Sequence, residues 1–92
     1  MNDLQEARNE IDKIDEEMAV LFEKRMNAVR RIAAYKQEHG LQVRDKAKEA
    51  EKTARQKELI DDESLRSFYV LFLQSVMDIS CSFQDSLIAD KK

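Results

Sequence analysis

Apolar residues recur at spacings of three and four along the first part of the chain. The positions in this register are Leu4, Ala7, Ile11, Ile14, Met18, Leu21, Arg25, Ala28, Ile32 and Tyr35. Such spacing keeps side chains on one face of a helix, and it predicts a single long helix from about Asp3 to His39. Gly40 follows as a natural C-terminal stop. Arg25 is the one charged residue in this register.

The rest of the chain predicts two further helices. "LQVRD" (41–45) is a short connection, and Asp45 is a good N-cap for a second helix over about 46–60. "DDES" (61–64) interrupts the pattern, and a third helix runs from about Glu63 to Ala89. Its apolar positions form two neighbouring lines: Leu65, Phe68, Phe72, Val76, Ile79, Phe83 and Leu87, and beside them Tyr69, Leu73, Met77 and Ile88. The pattern therefore predicts an all-α protomer of three helices.

The first helix is too long for a compact single chain. It would extend about 55 Å at the usual rise per residue. A compact monomer of 92 residues has a diameter of only about 30 Å. Because the apolar face continues along the whole helix, another chain must cover its overhanging part. The simplest solution is an intertwined homodimer with paired long helices.

Composition narrows the class of protein. A chain of 92 residues forms one domain, and its 42% hydrophobic content, single Gly and lack of Pro fit neither a disordered nor a β protein. A net charge of -3 argues against nucleic acid as the main partner. The single Cys81 excludes an internal disulfide and a cysteine-based zinc site. Without an apolar signal core or a stretch able to span a bilayer, the sequence predicts a cytoplasmic protein.

Two cations lie on the inward face of the first helix. Arg25 and Lys36 differ by only about 20° around the axis and stand about 16 Å apart, with Val29 and Ile32 between them. Each cation also has a structural explanation. A lone Arg can lay its stem on apolar surface while its head reaches water, and a Lys near a helix end compensates the helix dipole.

The third helix carries polar groups among apolar neighbours. Ser80 and Gln84 lie one turn apart, where they can form hydrogen bonds between helices, lie at the solvent boundary, or line a polar cavity. Together with the two inward cations they favour the cavity, because burying all these groups without partners is costly. A bound dianion would satisfy them.

Arg8 is a further candidate on the first helix. It points about 100° away from Arg25 and lies roughly 25 Å from it along the axis, so the two cannot meet on one ligand within a chain. In an antiparallel dimer of long helices, Arg8 of one chain can reach the middle of the other.

The chain resembles the all-helical chorismate mutases, which are intertwined dimers of three-helix protomers. The segments that carry this resemblance are "ARNEIDKIDEEMAVLFEKR", "IAAYK", "VRDKAKEAE" and "SVMDISCSFQ". They follow one another at compatible spacings and cover nearly the full length. The resemblance implies an enzyme without cofactor or metal that rearranges chorismate to prephenate in the biosynthesis of Phe and Tyr.

The resemblance also implies roles for individual residues. Arg25 and the partner subunit's Arg8 would hold the two carboxylates of chorismate, with Ser80 beside a carboxylate. Lys36 and Gln84 would face the ether oxygen, and Lys36 can also touch a carboxylate. Because Gln84 is not ionisable, this donor needs no acidic pH.

The second helix would bind the ring hydroxyl. The resemblance assigns this role to Glu49 and to the main chain at Asp45, while Val29 and Ile32 form part of an apolar wall. Lys48 departs from the family pattern, which usually has Arg at this position. Lysine keeps the charge but loses the planar fork, so activity or ligand choice can differ.

A pericyclic reaction suits residues of these types. It needs no nucleophile and no proton transfer, but it needs a folded substrate and donors aimed at the ether oxygen as negative charge develops there. Two other functions stay open. An isochorismate-pyruvate lyase resembles the mutases in fold and site. A non-catalytic helical dimerisation module explains the apolar stripe but not the inward polar groups.

Overall fold

A computed structural model describes residues 2–90 and contains only helices and their connections within that range. The α-helices are α1 (Asp3–Glu38), α2 (Lys46–Gln56) and α3 (Arg66–Asp90), with 3-10 turns at Lys57–Leu59 and Glu63–Leu65. The prediction of an all-α protomer with one very long N-terminal helix is confirmed.

Local capping fixes the two ends of α1. The Asn2 side chain accepts a hydrogen bond of 2.8 Å from the Gln5 amide at the start of the helix. At the other end, Gly40 has a φ of 65°, a backbone conformation that glycine adopts without steric penalty. The Leu41 amide then donates to the Lys36 carbonyl oxygen at 2.8 Å, which closes the last turn. Gly40 thus ends the helix where the sequence predicts.

The ends of α2 and α3 differ slightly from the prediction. Asp45 caps α2 as expected, since its Oδ1 accepts from the Lys48 amide at 3.1 Å. The α-helical part, however, ends at Gln56, and the predicted last turn is a 3-10 turn. The third helix likewise opens with a 3-10 turn, which Asp62 caps by accepting from the Ser64 amide at 3.0 Å. Apolar spacing cannot separate these two kinds of turn at a helix end.

The packed core is small and lies between the C-terminal half of α1 and α3. Its buried apolar side chains are Val29, Ala33, Leu73 and Met77. On α3 this buried line continues into Ser80 and Gln84. The other predicted apolar line of α3 stays largely open to solvent, with Phe68 66% and Phe72 50% exposed. Among the described residues, the line with Leu73 and Met77 is therefore the more buried of the two, and the other packs only in part, where Phe83 lies beneath the Arg30 guanidinium of α1.

The N-terminal half of α1 has no packing partner among residues 2–90. Residues 3–24 are all exposed, and Leu21 reaches 62% exposure. The radius of gyration is 16.6 Å, whereas a compact chain of this length has about 12 Å. The chain is elongated, as the length of the first helix predicts, and it leaves an apolar face uncovered. Within residues 2–90, no helix is long and apolar enough to cross a membrane.

Candidate active site

A cavity of about 970 Å³ opens where the C-terminal half of α1, the connection 41–45, α2 and α3 meet. Every predicted site residue except Arg8 lines it: Arg25, Lys36, Asp45, Lys48, Glu49, Ser80 and Gln84. Val29 and Ile32 lie in its wall between the two cations of α1, as expected from the helical stripe. The fold therefore brings residues that are distant in sequence to one concave surface.

Arg25 and Ser80 connect α1 to α3 at this cavity. The Arg25 Nη1 donates a hydrogen bond to the Ser80 Oγ, and that hydroxyl in turn donates to the Val76 carbonyl oxygen at 2.8 Å. Ser80 is only 6% exposed, so it does not lie at the solvent boundary. The bond from Arg25 to Ser80 joins two helices, which is what a structural role of Ser80 predicts. A guanidinium has five N–H donors, so this bond leaves others for a ligand.

The Gln84 side chain is buried, and its carbonyl oxygen accepts no hydrogen bond from the described residues. The residue is 5% exposed, and its Oε1 has no hydrogen-bond partner among the described residues. An unpaired buried polar atom costs about 1–3 kcal/mol. A hydrogen bond between helices therefore does not explain this residue. The Gln84 side chain lines the cavity, and its oxygen is the atom that lacks a partner among the described residues.

Lys36 fixes the connection between α1 and α2. Its Nζ donates a hydrogen bond of 2.5 Å to the Val43 carbonyl oxygen rather than to a carbonyl at the end of its own helix. The contact holds the ammonium group at the cavity wall and orients the loop before α2. Because an ammonium has three donors, two stay free for other acceptors.

Arg44 orients Glu49, and the sequence alone did not single it out. Its Nη1 lies 2.8 Å from the Glu49 Oε1, and its Nη2 lies 2.8 Å from the Asp78 Oδ1 on α3. Gln74 donates to the same Asp78 oxygen at 3.0 Å. The hydrogen bonds from Arg44 and Gln74 lower the pKa of Asp78. Arg44 lies in the connection, outside any helical register, so apolar periodicity gave no signal for it.

Asp45 and Lys48 occupy the rim of the cavity at the start of α2. The Asp45 carboxylate caps the helix by accepting from the Lys48 amide. The side chain of Lys48 is exposed. The main chain of this first turn therefore has a fixed position next to Glu49, whereas the Lys48 ammonium is solvated.

The cavity is positively charged although the chain carries a net charge of -3. Its lining contains seven Lys or Arg residues against three Asp or Glu. The sequence did not predict that Lys52 and Arg55 belong to this lining, because the pattern of α2 is that of a solvated polar helix. Their spacing from Lys48, at i+4 and i+7, was the available signal, because it places all three on one face. Such a lining favours an anionic ligand.

Arg8 does not reach this cavity in its own chain. It lies exposed on α1, roughly 25 Å along the axis from Arg25. Among the described residues, no group of three or more His, Cys, Asp or Glu side chains is placed to hold a metal ion.

Comparison with known protein families shows which family the chain is similar to. A family model described as chorismate mutase type II matches residues 7–85. The matched range includes all the cavity residues named above and also Arg8. Searches of curated proteins and of solved structures found no significant match to the chain.

Proposed function

Since the chain belongs to the chorismate mutase type II family, we propose that it is an isomerase that rearranges chorismate to prephenate, a step of Phe and Tyr biosynthesis. The observation that carries the proposal is the cavity itself, whose lining has seven Lys or Arg residues against three Asp or Glu and includes the buried Ser80 and Gln84 side chains. A concave surface with this excess of positive charge favours a polar, anionic substrate.

The cations of the cavity would bind and fold the substrate. Chorismate is a dicarboxylate whose enolpyruvyl side chain must lie over the ring before the new carbon–carbon bond can form. Arg25 takes one carboxylate, with the Ser80 hydroxyl beside it, and the partner subunit's Arg8 takes the other. When both carboxylates are held, the substrate is bound in the folded conformation, which is otherwise rare. This lowers the entropic part of the activation barrier.

Lys36 and Gln84 would stabilise the transition state. The carbon–oxygen bond lengthens before the carbon–carbon bond is complete, so negative charge develops on the ether oxygen. Donors already fixed at that point bind the transition state more tightly than the substrate, by about 3 kcal/mol for one well-placed donor. The Val43 contact of Lys36 and the burial of Gln84 support this role, since both restrict the positions of the donors.

The start of α2 would bind the ring hydroxyl. Glu49 accepts a hydrogen bond from it, and the main chain at Asp45 contacts it as well. Arg44 holds the Glu49 carboxylate from the other side, which supports a fixed orientation for this acceptor. Lys48 takes the position of the arginine usual in the family and supplies charge at the rim.

A homodimer would complete the site. A second copy covers the exposed apolar face of residues 3–24 and brings its Arg8 to the cavity. The uncovered face and the elongated shape of the single chain support this arrangement. Residues 1–92 would then act as one chorismate mutase-like domain, and cytoplasmic localisation stays a prediction. Sedimentation over a wide dilution range tests the dimer, and a stably folded monomer at all concentrations would contradict it.

Product analysis tests the reaction. The purified protein is incubated with chorismate and, separately, with isochorismate, and prephenate and pyruvate are measured. We expect prephenate from chorismate and little pyruvate from isochorismate. Release of pyruvate from isochorismate as the main reaction would identify a lyase instead. No product from either substrate would leave the dimerisation module as the function.

A further inference from the structure

Lys52 is an inward cation on α2. It lines the cavity from the middle of α2 and is half-buried. It makes no hydrogen bond or ion pair with any described residue. Arg25 and Arg55 line the same cavity, and their positive charges disfavour the charge of Lys52. Lys52 is therefore a partly desolvated positive charge without a counterion.

The other inward cations of the cavity are engaged. Arg25 donates to Ser80, Lys36 donates to the Val43 carbonyl, and Arg44 is neutralised by two carboxylates. Arg55 has a partner as well, since its Nη1 lies 3.8 Å from the carboxylate of Glu51, which also lines the cavity, and both side chains are exposed. The remaining lining cations, Lys46 and Lys48, are exposed to water.

Burial and like charge both disfavour the ammonium form of Lys52. Desolvation lowers the pKa of Lys52, and the charges of Arg25 and Arg55 lower it further. A chain that gained nothing from this charge could carry a neutral side chain here. An anion placed between Lys52 and Arg25 would relieve the repulsion and replace the lost hydration.

We propose that Lys52 is a further substrate-binding residue that shares one carboxylate of the substrate with Arg25. This inference rests on the proposed function. It also bears on Lys48, the residue that departs from the family pattern. Lys52 lies one turn further along the same face of α2 and is less exposed, so it supplies the inward charge that the solvated Lys48 ammonium does not.

Steady-state kinetics of three variants test the proposal. Lys52→Gln removes the charge, Lys52→Arg keeps it, and Lys57→Gln removes a charge from the next turn, which does not line the cavity. In Lys52→Gln the carboxylate is still held by Arg25, so the substrate stays folded. The lost contact is equally strong in substrate and transition state, and its loss raises KM and leaves kcat unchanged. We expect Lys52→Gln to raise KM about tenfold, the loss typical of a hydrogen bond to a charged group. Lys52→Arg and Lys57→Gln should stay near the wild-type KM.

Binding of prephenate, measured by calorimetry, separates this inference from the proposed reaction. If the wild type rearranges chorismate but Lys52→Gln and Lys57→Gln have the same KM and the same affinity for prephenate, the role of Lys52 is wrong while the function stands. If the wild type does not rearrange chorismate, the proposed function fails. If in that case Lys52→Gln binds prephenate more weakly than the wild type and Lys57→Gln does not, Lys52 would still be supported as a residue that binds carboxylates. Helical circular dichroism of each variant confirms that the fold is intact.

Discussion

The Arg44 guanidinium and the Glu49 carboxylate form an ion pair, with 2.8 Å between Nη1 and Oε1. The same guanidinium reaches Asp78 on α3 through its other terminal nitrogen. One side chain of the connection therefore fixes the start of α2 against α3. The side chain it holds is the proposed acceptor for the ring hydroxyl of the substrate.

Replacing Arg44 should impair catalysis more than folding. In Arg44→Gln the Glu49 carboxylate loses the group that orients it, and we expect kcat/KM to fall at least about tenfold. Thermal unfolding should change little, because all three partners are partly exposed. Asp78→Asn is the matched control, since it leaves the pair between Arg44 and Glu49 in place and should have a smaller effect. Equal losses in the two variants would contradict an orienting role for Arg44.

The ion pair with Asp78 should also appear in the acid stability of the chain. Hydrogen bonding to Arg44 is the main cause of the lowered pKa of Asp78. A lowered pKa contributes stability that is complete above the ordinary Asp value, about 4, and is lost as the pH falls through the lowered pKa. Urea unfolding at pH 7 and pH 3 should therefore show a larger acid loss for the wild type than for Arg44→Gln. Identical acid losses would show that the pair does not contribute.

Arg25→Ala should abolish activity and keep the fold. The packing of Val29 and Ala33 does not depend on Arg25, and the Ser80 hydroxyl still donates to the Val76 carbonyl. We expect kcat/KM to fall about 100-fold or more, and a 100-fold fall corresponds to the loss of about 2.7 kcal/mol of transition-state stabilisation. Melting followed by circular dichroism should be unchanged. Arg31→Ala on the same helix, outside the cavity lining, is the control. Unfolding of Arg25→Ala alone would make Arg25 a structural residue.

Gln84→Glu should make the reaction depend on pH. An amide donates at any pH, whereas a carboxyl donates only when it is protonated. The variant should therefore gain activity as the pH falls, while the wild type shows no such dependence from this group. Gln84→Leu has no donor and should stay slow at every pH. A flat profile for Gln84→Glu at the wild-type rate would exclude residue 84 as the donor to the ether oxygen.

Mixed dimers test whether Arg8 serves the neighbouring site. Arg8→Ala and Arg25→Ala homodimers should each be nearly inactive, and refolding them together should restore roughly a quarter of full activity. About half of randomly formed dimers are mixed, and each has one intact site of two. The estimate treats the sites as independent. If verified mixed dimers show no recovery, Arg8 does not act across the interface.

The sequence predicted the helices and the inward polar residues because both leave a periodic signal. Arg25, Ser80 and Gln84 each interrupt an apolar register, and the structure places all three at the cavity. Arg44 could not be found this way, because a connection has no register. Lys52 does lie on a helix, but it could not be found either. On a helix rich in charged residues, the sequence does not distinguish a cation that faces a cavity from one that faces water.

The sequence also did not predict which face of α3 packs against α1. Both lines of α3 are apolar, and the structure buries Leu73 and Met77 while Phe68 and Phe72 stay exposed. Two apolar lines indicate two packing surfaces, but they do not show which surface meets α1. That choice depends on how the connections direct the helices, which periodicity does not record.

The link between Arg25 and Ser80 joins residues 55 positions apart in the chain. A ribosome adds about 5–20 residues per second, so Ser80 is made roughly 3–11 seconds after Arg25. A helix forms in about a microsecond. During synthesis α1 can therefore be helical for seconds with its apolar face open, long before α3 exists to cover any of it. The apolar face of residues 3–24 stays open for longer still, because α3 does not cover it and only a second copy, itself still to be made or met, would do so.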